Sequence, residues 1–388
     1  MTIYLDHAAT TPMRPEVLEA MTPYLTEHFG NPSSLHAAGR RARQGLDEAR
    51  EVVAGILGAR PREIVFTGGG SESDNLAIKG AAWAASARGR HIVTSSVEHH
   101  AVLHTCAVLE RQGFEVTYLP VDRYGRVDPA ELAESITDHT TLVSIMYANN
   151  EVGTIQPIAE IGAICRERRV LFHSDAVQAG GFLPLEVDRL GVDLLSLGAH
   201  KLYGPKGVGA LFVRHGTALL PQLQGGSQER QRRAGTENVA GIVGFGRALE
   251  LAQGDPVARD AENVRLAALR DQLNAGLLQI SGAEPTGHPT ERLPNNSSVL
   301  FDGLEGGDLV AALDLEEIQV STGSACTSGS TEPSHVLLAM GIDPWRTHGS
   351  LRLTAGRETT DADIARAVEA AREVVARMRT VLPAGVPQ

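Results

Sequence analysis

Lysine is almost missing from this chain of 388 residues. All but three of its 35 basic residues are arginine, the exceptions being Lys79, Lys201 and Lys206. A coding bias toward arginine accounts for the skew, and it makes the survivors worth locating. Only a primary amine forms a Schiff base with an aldehyde; a guanidinium does not. Cysteine is as scarce. Cys106, Cys165 and Cys326 have no paired spacing, which excludes a disulfide framework and fits a reducing, cytoplasmic setting. No apolar run approaches the ~18 residues that a membrane span needs. The N-terminus, MTIYLDHAATTP, lacks the basic segment and apolar stretch of a secretory signal. A net charge of −12 argues against broad nucleic-acid affinity and leaves only local basic patches such as Glu229–Arg233. Internal repeats and low-complexity blocks are absent too. With 42% hydrophobic and 21% charged residues, the composition is that of a soluble protein of two domains, or of one domain with an appendage.

Between about residues 60 and 215, seven short apolar runs alternate with helical stretches. EIVFTGGG, HIVTSSVEHH, FEVTYLPV, TLVSIMYANN, VLFHSDAVQ, LLSLGAHK and GALFVR read as strands, and SDNLAIKGAAWAASA and AVLHTCAVLERQG as amphipathic helices. That alternation predicts an α/β fold with a largely parallel sheet, its ligand beyond the carboxyl ends of the strands. After Ala252–Asp260 a long helix leads to sparser strands, NNSSVLFDG, IQVSTGSA and GSLRLTAG, and then to a last amphipathic helix. A domain boundary is expected near residue 256.

Several strand ends carry chemistry. FTGGGSESDN puts three glycines before a helix start with a Ser71-x-x-Asp74 capping pattern, which makes a phosphate seat or simply a capped helix. Ser73 occupies the third glycine position of a dinucleotide fingerprint, and neither Ser nor Thr follows Lys206 in GPKG, so both nucleotide motifs fail. His100 and His104 have metal-ligand spacing, but no third ligand is evident. His99, at a strand-to-helix junction, is better placed to face a ligand. Asp175 and Gln178 end the strand HSDAVQ, and Lys201 follows His200 at the end of LLSLG. Lys79 reads as a solvated mid-helix residue and Lys206 as part of a glycine turn. Cys106 and Cys165 fall in helical stretches and read as buried and inert. Phosphate seat, strand-end acid and strand-end amine together ask for one ligand with a phosphate, a basic ring and an aldehyde. Pyridoxal phosphate has all three.

YLDHAATTP, GNPSSLH, TGGGSESDNLAIKG, EHHAVL, ANNEVG, HSDAVQ, AHKLYGPKG, RRAGTEN and STGSACTSG run in order over nearly the whole chain. They resemble the cysteine desulfurases, pyridoxal-phosphate enzymes of the class V aminotransferase group. The long cysteine-bearing loop, about 321–334, resembles the subgroup tied to iron–sulfur and nitrogenase assembly. The resemblance implies a fold-type I PLP-dependent transferase. Residues 15–256 would form a large domain around a mostly parallel seven-stranded sheet. Residues 1–14 and 257–388 would form a smaller α+β domain. It also implies roles. Lys201 holds the cofactor, Asp175 pairs with the pyridine nitrogen, Gln178 bonds the ring oxygen, and His99 stacks on the ring and shuttles protons. Gly70, Ser71, His200 and Thr236 hold the phosphate, Thr236 reaching across from a dimer mate. Asn31, Asn150 and Arg352 orient L-cysteine. Cys326 takes the sulfur as a persulfide and leaves L-alanine, with His99 as the acceptor of its thiol proton. No metal enters. The partners implied are a second copy of the chain and a sulfur acceptor, an iron–sulfur scaffold or a tRNA-thiolation relay.

Two features depart from the family pattern. Gly198 stands where such enzymes commonly carry a phosphate-binding serine, and the chain runs out at PAGVPQ soon after its last helix. Three alternatives stay open on the sequence alone. They are selenocysteine lyase or another β-eliminating lyase, an ordinary transaminase (which gives Cys326 no task), and a non-catalytic relative that keeps only the fold.

Overall fold

The computed structural model describes residues 2–323 and 333–381. Cys326 and most of its loop lie outside the described residues. The chain opens on a two-residue strand, β1 (Ile3–Tyr4), and then two helices, Pro15–Thr26 and Ala37–Leu57. Seven strands follow: β2 (Ile64–Thr67), β3 (His91–Ser95), β4 (Glu115–Leu119), β5 (Thr140–Ser144), β6 (Leu171–Asp175), β7 (Leu194–Gly198) and β8 (Gly209–Val213). They form one sheet in the order β2-β8-β7-β6-β5-β3-β4. Every pairing is parallel except those of β8, which runs antiparallel to both β2 and β7. Apart from β4, at one edge, and Leu171 at the start of β6, these strands are buried along their length. This is why their sequences read as continuous apolar runs rather than as alternating ones.

A second set of strands lies C-terminal to the helix Pro256–Leu277, whose first turn is capped by Asp255 and started by Pro256. β9 (Ala283–Pro285), β10 (Asn296–Phe301) and β12 (Ser350–Thr354) make an antiparallel sheet with β10 in the middle. Among its described residues, the segment IQVSTGSA touches this sheet through an isolated antiparallel bridge from Ser321 to Arg352 of β12. Its strand, β11 (Ile318–Gln319), pairs in parallel with β1 at the other end of the chain. Leu5, Leu269, Leu273, Val299, Phe301, Leu351, Leu353, Ile364 and Val374 fill a core there, separate from the one under the seven-stranded sheet. The N-terminal segment crosses between the two. Thr354 N–H donates to the Leu5 carbonyl at 2.7 Å, and Thr11 N–H to that of His200 at 3.0 Å. No helix among the described residues is long and apolar enough to cross a membrane.

Candidate active site

The carboxyl ends of β2, β3, β5, β6 and β7 open onto a cavity of about 660 Å³. It is lined by Gly70, Ser71, His99, Asn150, Asp175, Gln178, His200, Lys201 and Arg352, together with Ala8–Thr10, Asp74 and Lys206. Nine of the residues singled out in the sequence therefore meet in one place, although they span positions 70 to 352. Asn31 and Thr236 are not among the lining residues. Both are exposed, and Asn31 uses its Oδ1 to accept the Ser33 N–H at 2.9 Å.

Lys201 sits in a single turn of 3-10 helix, Ala199–Lys201, directly after β7. Its Nζ donates to the carbonyls of Ala8 at 2.5 Å and Ala9 at 2.7 Å. Gln178 Nε2 reaches the same Ala8 carbonyl at 2.9 Å. Asp175 ends β6, the neighbouring strand, and its Oδ1 accepts the Val177 N–H at 2.9 Å. Burial pushes its carboxyl up to about 6, against the opposing pulls of that bond and of Lys201. Lys201 and the Val177 amide thus favour its charged form against burial, and a carboxylate is the form that holds a protonated ring nitrogen.

The glycine run builds the opposite wall. Gly69 has φ 147° and ψ −179°, a region only glycine enters freely. A Cβ on Gly70 would lie 2.6 Å from Val177 Cγ2, so glycine there lets the start of the helix Gly70–Ala85 close on the loop after Asp175. The capping pattern read from the sequence does not form. Gly69 is the N-cap and uses no side chain. Asp74, one turn into the helix, is buried and lies 3.7 Å from His173 Nε2. His173 is fully buried between the hydroxyls of Ser144 and Ser196, each 2.9 Å away, and burial lowers it to about 3.

His99 is the N-cap of the helix His100–Arg111, and its Nδ1 accepts the Ala101 N–H at 3.1 Å. That bond leaves Nδ1 without a proton. With burial and Lys201 lowering the ring to about 4, its neutral form carries the proton on Nε2. His99 thus presents a donor at the cavity; Cys326, whose thiol proton it is expected to accept, lies outside the described residues. His100 and His104 stack at 5.0 Å, with His335 4.7 Å from His100. Among the described residues no group of three or more His, Cys, Asp or Glu has the arrangement of a metal site.

Arg352, on β12, is almost wholly buried. Its Nη2 donates to Asp6 at 3.0 Å and its Nη1 to the Asn150 carbonyl at 2.9 Å. Both described flanks of the cysteine-bearing loop lie beside this end of the cavity. Ser321 exchanges backbone hydrogen bonds with Arg352, and Ser334 Oγ donates to Glu151 at 2.6 Å. Sequence reasoning missed Asp6, Glu98 and Glu151, and read Asp74 as a helix cap. The first three sit within quoted motifs, but none has a spacing that separates it from an ordinary surface acid. Lys206, read as a turn residue, stands on the cavity rim. Lys79 stays on its helix, bonded to Asn75. Burial pushes the thiols of Cys106 and Cys165 up to about 12.

These residues fit pyridoxal phosphate. A glycine cradle at a helix start could take its phosphate, the strand-end carboxyl of Asp175 its ring nitrogen, and the strand-end amine of Lys201 its aldehyde. The buried Asp74 Oδ1, in the same lining, has no hydrogen-bond partner. The family model described as aminotransferase class-V matches residues 3–367. A protein named cysteine desulfurase IscS from Methanosarcina thermophila is 55% identical over 98% of this chain and 94% of its own. Among solved structures, a NifS-like protein superposes with a TM-score of 0.91 at 39% identity, covering 97% of this chain and 100% of that one. A structure of SspA in complex with cysteine does so at 0.81 and 37%, covering 91% and 98%. The chain belongs to the class V aminotransferase family, in its cysteine desulfurase group.

Proposed function

We propose that this protein is a pyridoxal-phosphate-dependent cysteine desulfurase, converting L-cysteine to L-alanine and passing the sulfur to Cys326 as a persulfide. The observation that carries this reading is the cavity itself. Lys201, Asp175 and the Gly68–Gly70 turn come from three strand ends of one sheet and converge around a space of the right size for the cofactor. When bound, pyridoxal phosphate supplies an aldehyde that condenses with amines and a protonated ring that takes up electron density from the substrate's Cα. Lys201 would hold it through Nζ, Asp175 would face its ring nitrogen and Gln178 its ring oxygen. Gly70, Ser71 and His200 would hold its phosphate.

The chain's own groups supply the rest. Lys201 Nζ takes the Cα proton of L-cysteine, and Ala8 and Ala9 offer the carbonyls that steady the ammonium it becomes. Arg352 orients the substrate carboxylate, already aimed by Asp6 and the Asn150 carbonyl. His99 donates from Nε2. Cys326, as a thiolate, attacks the substrate sulfur; the S–Cβ bond breaks as the S–S bond forms, its electron pair stays on the substrate carbons, and these take up protons to leave as L-alanine. We assign residues 15–256 to the body that holds the cofactor, and residues 1–14 with 257–388 to the one that brings Arg352 and the cysteine loop.

The enzyme acts as a cytoplasmic homodimer in this proposal. Leu25, Phe29 and Leu35, large apolar residues of one segment, are 60%, 75% and 89% exposed, a pattern that marks an interaction surface. Thr236 and Asn31, absent from their own cavity, would then serve the partner's. A sulfur-acceptor protein, an iron–sulfur scaffold or a tRNA-thiolation relay, receives the persulfide.

The deciding experiment measures L-alanine from L-cysteine with a thiol reductant present, in wild type and Cys326→Ala. Activity in wild type and silence in a variant that stays yellow support the reading. Equal activity would replace it with a lyase.

A further inference from the structure

A short segment far along the chain from the glycine turn is both strained and clamped. Glu229, Arg230 and Gln231 have φ values of 46°, 57° and 65°, three consecutive non-glycine residues in the left-handed region. L residues visit that region singly, and a run of three does not hold itself. The clamp is Arg50. Its Nη2 and Nη1 grip Glu229 Oε1 and Oε2 at 2.6 and 2.8 Å, with both side chains at most 5% exposed. Arg50 Nη1 also donates to the Ile64 carbonyl at 2.7 Å, and Glu229 Oε2 accepts the Phe66 N–H at 3.1 Å. The guanidinium lies 4.7 Å from the centre of the Phe66 ring. The turn is therefore pinned to β2, the strand that runs into Gly68.

The far side of the turn reaches the same place by a second route. Arg233 grips Glu72 with Nε at 2.8 Å and Nη2 at 3.2 Å, and Glu72 Oε2 in turn accepts the Gly68 N–H at 2.7 Å. Glu72 lines the cavity beside Ser71. A lone carboxylate there would repel a phosphate, and Arg233 neutralises it. By engaging the Gly68 amide, Glu72 also decides which backbone N–H groups remain for an anion, namely those that follow.

We propose that Arg50, Glu229, Arg233 and Glu72 are positioning residues for the phosphate seat. In this arrangement the strained turn, held by the Arg50–Glu229 pair, delivers Arg233 to Glu72, and Glu72 sets the shape and charge of the glycine loop. The inference rests on the reading that this loop seats the phosphate of pyridoxal phosphate. It adds four residues to those named for holding the cofactor.

The test compares binding of pyridoxal phosphate and of pyridoxal, which lacks the phosphate, to protein stripped of cofactor, together with release of cofactor from the holoprotein. Arg233→Gln, at a partly exposed site, is expected to weaken pyridoxal phosphate about tenfold while moving pyridoxal less than about twofold. Adding Glu72→Gln removes the unpaired charge and keeps an acceptor for Gly68, so the double variant is expected to return to within about threefold of wild type. Arg50→Met should release cofactor faster from whatever protein folds. An unchanged Arg233→Gln, or one that weakens both ligands alike, overturns the inference while the seat stands. Wild type that binds pyridoxal no more weakly than its phosphate overturns the seat and the inference together.

Discussion

The two ends of the cavity are made differently. At the cofactor end, Gly68–Ser71, Asp175 and Lys201 follow directly on buried strands of one sheet, so their places are set by strand order and by turns of a few residues. At the substrate end, Arg352 leaves β12 to meet Asp6, 346 residues earlier in the chain, and the described flanks of the cysteine loop attach to Glu151 and Arg352. One end is preformed on a rigid edge. The other is put together from segments far apart in the chain. In the proposed function, the groups that hold the cofactor sit on the first, and the groups that admit and release the substrate sit on the second.

Variants at the two ends are expected to fail in different ways. Lys201→Ala, at the cofactor end, removes both the anchor and the base, and is expected to lower kcat at least about a thousandfold and to abolish the visible absorbance of the purified protein. Arg352→Gln, at the substrate end, leaves the cofactor alone. Losing a charge-assisted pair to the substrate carboxylate is expected to raise KM for L-cysteine about 10- to 100-fold with the absorbance intact. Asp6, left without its partner, is partly exposed and keeps access to water. A variant at position 352 that turned the protein colourless would merge the two ends into one.

The same contrast explains what could be read in advance. The seven strands, Lys201, Asp175, His99 and the glycine turn were legible because apolar runs punctuated by small residues mark buried parallel strands, and ligands gather at their carboxyl ends. The pairing of β11 with β1 was not, since two-residue strands carry no period. Nor were the roles of Asp6 and Glu151, whose partners lie far away in the chain. Asp74 misled for another reason. Its position fits a capping box, and only its place beside His173 shows that it is a buried acid instead.

Glu98 lies beneath the His99 junction and is wholly buried, with Oε1 accepting from Ser95 Oγ at 2.6 Å and Met146 N–H at 2.9 Å and Oε2 unpartnered. Burial is the main cause that raises its carboxyl from 4.5 to about 8. Between those values the folded protein keeps a proton that the unfolded chain releases. Stability therefore falls as pH rises through that window. Glu98→Gln takes this contribution away. Denaturation at pH 9 should find the variant more stable than wild type by about 2 kcal/mol, with the gap closing toward pH 5. A gap independent of pH would mean that Glu98 acts through packing.

The smallest expected change sharpens the cofactor end further. Gly198 ends β7 in ordinary extended backbone, φ −133° and ψ 129°, so no conformational need for glycine exists there. A Cβ at this position would meet Val177 Cγ1 at 3.4 Å and the Gly70 nitrogen at 3.6 Å, both normal contacts. Gly198→Ser therefore fits without displacing a neighbour, and its hydroxyl enters beside the first amide of the phosphate seat. One added hydrogen bond to a charged group is worth about 1.5 kcal/mol, so cofactor release from the holoprotein should slow by about tenfold or somewhat less. Pyridoxal, lacking the phosphate, should bind as before. If release is unchanged, the serine hydroxyl has bonded the Gly70 region instead of the ligand, and the backbone of the seat already holds the phosphate as well as an added side chain can.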